Sequence, residues 1–187
     1  MSTREFDIIV FGATGYTGRL VAEYLAHHYG PRDANDSGGP KWAMAGRSLA
    51  KLEQVRDEIG APATTPLVVA DADDSADLEA MCRRTRVVLT TVGPYQLYGD
   101  KLLAACVATG TDYADLCGEP AWMAEKIAEH QAAAERRGDH VDLAGREAAL
   151  AEALKALASL STEEQGEPEG EPLRDALTRL QGLRGAA

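Results

Sequence analysis

Ile8-Ile9-Val10-Phe11-Gly12-Ala13-Thr14-Gly15-Tyr16-Thr17-Gly18, IIVFGATGYTG, decides how the rest of the chain is read. An apolar run enters three glycines spaced three apart, and Leu20, Val21, Tyr24 and Leu25 then fall on one helical face. A buried strand, a glycine turn and a helix, in that order, make the first unit of a dinucleotide-binding fold. In such a unit Gly12 permits the tight turn, Gly15 lets backbone N–H groups approach a pyrophosphate, and Gly18 lets the helix pack closely on its strand. Ala13 and Tyr16 fill the turn between them, and Thr14 and Thr17 add hydroxyl donors. The alternative is a corner with no ligand, since glycine serves wherever the backbone takes unusual dihedrals.

The surroundings favour the ligand. Short apolar runs alternate with helical stretches through the first three quarters of the chain, the pattern of βα units in a parallel sheet. Strands are predicted at 6–11, 41–45, 66–70, 86–92 and 111–116, and helices at 15–29, 48–59, 78–84, 100–109 and from Pro120 to about Gly138. The fold class is therefore α/β: a doubly wound, mainly parallel Rossmann sheet whose crevice lies at the carboxyl ends of the strands. A weak sixth strand is predicted at 140–145. Residues 1–145 form the nucleotide domain, and 146–187 a helical tail interrupted by the acidic linker STEEQGEPEGEP at 161–172. Leucine stripes in the tail, Leu143, Leu150, Leu154 and Leu157, then Leu173, Leu177 and Leu180, could pack on the domain or form a homodimer.

Composition limits the partners. The 187 residues carry a net charge of −11, which argues against a general grip on nucleic acid. No apolar run approaches a membrane span, and the first residues do not resemble a leader, so a cytoplasmic setting is expected. Cys82, Cys106 and Cys117 lack CxxC spacing and read as buried small apolar residues. The four histidines form no ligand constellation, and no metal is expected.

The end of the second strand bears on which dinucleotide is held. An NAD site places a carboxylate there, whereas this sequence reads AMAGRS, with Arg47 and Ser48 suited to a 2′-phosphate. NADP(H) is expected over NAD(H). After the third strand, Asp71 could accept from the adenine amino group while Ala72 packs on the ring; an acidic turn or helix cap is the competing reading. After the fourth, Gly93 and Pro94 form a stiff turn within Val92–Tyr95 where the nicotinamide half should lie, with Tyr95 and Tyr98 close behind; a turn packed by the two tyrosines is the competing reading. No Tyr-x-x-x-Lys pair and no GxSxG elbow occurs. The candidate proton donors are Tyr95, Tyr98, Asp115 and Glu119, with none preferred.

Four segments, DIIVFGATGYTGRLVAEYLA, WAMAGRSLAKL, TTVGPYQLYGDKLLAACVATGTDYADLCGE and AEKIAEHQAAAERRG, resemble in order the saccharopine dehydrogenase-like oxidoreductases, most closely the bacterial trans-acting enoyl reductase branch. The resemblance covers Phe6 to about Gly138. It implies an NADP-binding Rossmann domain with Gly12, Thr14, Gly15, Thr17, Gly18, Arg47 and the Val92–Pro94 turn at the cofactor. It also implies hydride transfer to an unsaturated or imine-type substrate, in that branch a carbon–carbon double bond of a polyketide-derived lipid. Beyond Gly138 the sequence departs from the family pattern, and the family's substrate domain is expected to be absent. A binding module without chemistry of its own is the rival expectation.

Overall fold

The computed structural model describes residues 4–29 and 39–138, with Ala151, Glu152 and Lys155 of the C-terminal segment. Ten elements alternate: β1 (Phe6–Phe11), α1 (Tyr16–His28), β2 (Trp42–Gly46), α2 (Leu49–Glu58), β3 (Leu67–Val69), α3 (Ser75–Cys82), β4 (Thr85–Thr90), α4 (Tyr95–Thr109), β5 (Asp112–Ala114) and α5 (Pro120–Gly138). The five strands form one sheet in the order β3-β2-β1-β4-β5, with every pairing parallel. This is the doubly wound Rossmann-like arrangement. The chain winds outward from β1 through β2 to β3, then crosses back to lay β4 on the other side of β1, so the switch point falls beside the glycine turn.

Alternation along β1 explains the two cores. Ile8 and Val10 face α1 and α2 and join Val21, Leu25, Met44, Leu52 and Leu89. Ile9 and Phe11 face α3 and α4 and join Ala45, Val68, Leu78, Met81, Val88 and Leu102. A strand buried on both faces reads as a continuous apolar run rather than as an alternation, which is why IIVF carries no polar residue. Cys82 and Cys106 are buried free thiols with their sulfurs 3.6 Å apart. Cys117, expected to be buried, is only partly so, because it follows β5 in a loop.

Two helices begin earlier than the sequence reading places them. α3 starts at Ser75, not Leu78, because the Asp74 carboxylate accepts from Ala76 N at 2.8 Å and Asp77 N at 3.2 Å, an N-cap inside the acidic stretch. α4 starts at Tyr95, not Asp100, so Tyr95 and Tyr98 lie in its first turn and a half rather than in a loop. The sixth strand, the acidic linker, and the leucine stripes with their homodimer lie outside the described residues. Glu152 accepts a hydrogen bond from the Tyr29 hydroxyl at the far end of α1, roughly 20 Å along the helix from Gly15. Among the described residues no helix is long and apolar enough to cross a membrane.

Candidate cofactor site

The glycine turn is set by its neighbours on both sides. Gly12 N and Ala13 N donate to Ala45 O of β2 at 3.0 and 3.1 Å, and Gly15 N closes the turn on Gly12 O at 2.9 Å. Gly12 has φ +90°, and a Cβ there would lie 2.8 Å from Val92 Cγ2. Gly18 is held by contact: its Cβ would stand 2.1 Å from Gly12 O. Gly15 differs from both. It is exposed, has an ordinary φ of −81°, and its Cβ would meet only Gly12 O, at 3.3 Å. As the N-cap of α1 it brings no side chain to the helix's first N–H groups, which no side-chain cap satisfies among the described residues.

A crevice of about 370 Å³ runs along the carboxyl edge. Gly12, Thr14, Gly15, Arg47, Asp71, Ala72, Val92 and Gly93 line it, as does Tyr98, and Phe11, Gly46, Ala70, Asp73 and Thr91 complete it. The other residues singled out from the sequence stand back from it. Ala13 is fully buried and Gly18 is buried under the turn, whereas Tyr16 projects into solvent at 76% exposure and Thr17 is partly buried beside it. Ser48 caps α2, its Oγ accepting from Lys51 N at 3.4 Å. Pro94 holds the cap position of α4.

Tyr95 points inward. It is buried, its hydroxyl donates to Thr90 O at 3.3 Å and accepts from Leu116 N at 3.5 Å, and burial pushes its pKa up to about 12. Glu119 is also occupied: its two carboxylate oxygens accept from Tyr95 N and Gln96 N, each at 3.0 Å. It caps α4 from 23 residues downstream of Gln96, in place of the acceptor that Pro94 lacks. Glu119→Ala should cost about 1 kcal/mol, read from urea unfolding, with Glu119→Gln costing less because one acceptor remains. Asp115 accepts from Cys117 N at 3.1 Å. The Tyr113 hydroxyl is buried, and its pKa is raised by burial and then by the neighbouring Asp115 carboxylate. Of the four candidate proton donors, only Tyr98 lines the crevice.

Thr91 is the residue the sequence reading missed. Its Oγ1 lies 3.4 Å from Phe11 O and 3.3 Å from Gly12 O, and it would crowd a Cβ at either Gly12 or Gly18. The available signal was a polar doublet, Thr90-Thr91, directly after the apolar run Val87-Val88-Leu89.

Charge along the crevice is uneven. Arg47 is the one cation lining it among the described residues and makes no ion pair there, while Asp73 is met by Lys101 at 3.7 Å. Asp71 Oδ1 accepts from Asp73 N at 3.0 Å. Among the described residues no group of His, Cys, Asp and Glu could hold a metal ion. An uncapped helix start beside a glycine without a side chain fits an anionic phosphate, and the lone guanidinium fits a second.

Comparison with known proteins agrees with this geometry: residues 8–141 match the saccharopine dehydrogenase NADP binding domain. The chain belongs to that family. Its members' domain binds a nucleotide cofactor, and the glycine turn, Arg47 and the Val92–Pro94 turn all fall within the matched residues. The chain is 47% identical over 142 residues to the trans-acting enoyl reductase of Mycobacterium leprae, covering 75% of this chain and 32% of that protein. It is 52% identical over 117 residues to the trans-acting enoyl reductase of Mycobacterium ulcerans, covering 62% of this chain and 26% of that one. This saccharopine dehydrogenase NADP binding domain thus spans about a third or less of the relatives it matches. Among solved structures, saccharopine dehydrogenase (L-Glu forming) from Saccharomyces cerevisiae aligns at 19% identity and a TM-score of 0.48, over 65% of this chain and 24% of that one.

Proposed function

We propose that this chain holds NADP(H) in preference to NAD(H), as the cofactor domain of an oxidoreductase that passes hydride to a carbon–carbon double bond or imine of a lipid-like, polyketide-derived substrate. The observation that carries the cofactor reading is Arg47: it stands at the carboxyl end of β2, in the crevice, within a stretch, AMAGRS at 43–48, that contains no acid. NADPH, when bound, supplies the hydride. The first turn of α1, with Gly15 and Thr14, would take the pyrophosphate. Arg47 would take the 2′-phosphate, with Ser48 free to donate its hydroxyl hydrogen while its oxygen caps α2. Thr91, Val92 and Gly93 would shape the nicotinamide side. The substrate class rests on the relatives named as trans-acting enoyl reductases.

Titration with NADPH and NADH tests the preference. Arg47→Ala should weaken NADPH by about 2 kcal/mol, roughly thirtyfold, and leave NADH nearly unchanged. Equal affinity of the unaltered chain for both cofactors would refute the assignment. A second reading, binding without turnover, is favoured by the engagement of Tyr95 and Glu119 in holding the β4–α4 turn. Oxidation of NADPH in the presence of an enoyl or imine acceptor decides between the two.

A further inference from the structure

We propose that Tyr98 forms the wall of an adenine slot, stacking its ring on the purine and leaving the reacting end of the cofactor to other groups. The inference rests on the dinucleotide reading of the crevice. Tyr98 and Lys101 are three residues apart on α4 and share a face. Lys101 Nζ donates to Asp73 O at 2.7 Å, so that face looks onto the loop after β3. In the sheet order, β2 and β3 lie to one side of the glycine turn and β4 and β5 to the other. With phosphate at α1 and the 2′-phosphate at Arg47, adenosine extends toward β2 and β3, and nicotinamide toward β4 and β5. Tyr98 therefore stands at the adenosine end, lining the same crevice as Ala72 and Arg47.

The chemistry fits a base. Tyr98 is 41% exposed, an aromatic face left open in a crevice, in contrast to Tyr95 one turn earlier, which is buried. An exposed ring in a crevice that Ala72 and Asp71 also line, the alanine small enough to leave room for a base and the carboxylate able to accept from an exocyclic amine, suits a flat aminopurine. Stacking on an exposed aromatic is insensitive to the ring's hydroxyl, whereas proton donation requires it.

The test is binding of adenosine 2′,5′-bisphosphate and of NADPH to the full 187-residue chain. Tyr98→Phe should bind both within about twofold of the unaltered chain, while Tyr98→Ala and Tyr98→Leu should weaken both about tenfold or more. The exposed position leaves the fold intact in all three, which thermal melts can check. Unchanged binding in Tyr98→Ala would overturn the slot and leave the dinucleotide reading standing. A loss in Tyr98→Phe equal to that in Tyr98→Ala would overturn stacking by assigning the contact to the hydroxyl. Failure of the unaltered chain to bind either probe would overturn the dinucleotide reading, and this inference with it.

Discussion

Gly18→Ala is expected to destabilise the domain by about 3 kcal/mol or more, although alanine is the better helix former by about 1 kcal/mol. The added methyl carbon would stand 2.1 Å from Gly12 O, 2.7 Å from Gly12 C and 2.7 Å from Thr91 Oγ1. Two of those atoms are backbone, and Thr91 is held by its own contacts to the Phe11 and Gly12 carbonyls, so nothing can swing aside. Against a total stability of about 5–15 kcal/mol, a loss of this size is large enough to show as a markedly lower urea midpoint. Gly15→Ala provides the contrast. Its methyl would meet one atom at 3.3 Å and otherwise enter the crevice, so the protein should fold near-normally yet lose NADPH binding. A Gly18→Ala protein as stable as the unaltered chain would show that helix and turn are not in contact as described.

Trp122→Ala is expected to cost about 3–5 kcal/mol. The indole is buried at 7% exposure and lies so close over Gly99 that a Cβ there would be 2.6 Å from its Cζ2. Its ring centroid is 6.0 Å from that of Tyr95, and its Nε1 donates to Asp100 Oδ1 at 2.7 Å. Gly99→Ala should therefore also destabilise, and the double substitution should cost less than the sum, because the clash disappears with the indole. Acid works in the same direction. The indole donor and then Lys126 hold the Asp100 carboxyl below its usual pKa. That contribution is complete above the unfolded value near 4 and is lost as pH falls through the lower folded one. Unfolding midpoints measured across that interval, with Trp122→Phe as the comparison, read the effect.

These contacts also explain which parts of the structure the sequence could announce. β1, the glycine turn and α1 are legible because a buried parallel strand, a backbone constraint and an amphipathic face each leave a local mark. Arg47 is legible by position, at a strand end where another site would carry an acid. α4 is not, because PYQLYG looks like a loop: Pro94 breaks a helix, and Gly99 weakens one. The helix begins there because Glu119 supplies its first acceptors from beyond β5 and Trp122 packs where Gly99 has no side chain. Both partners lie more than 20 residues away, and the same distant packing turns Tyr95 inward and leaves Tyr98 on the crevice. Asp74 was different: its capping pattern was present, but it lay hidden in a run of acids that reads equally well as an acidic turn.

The Gly12 carbonyl has a wider consequence. It receives the Gly15 amide, lies within reach of the Thr91 hydroxyl, and is roofed by Gly18, so strand, loop and helix are joined at a single oxygen. A turn constrained in this way has its shape before any ligand arrives. If the turn takes the pyrophosphate as proposed, association sacrifices little chain entropy there, and the ordering cost of binding is already met in folding.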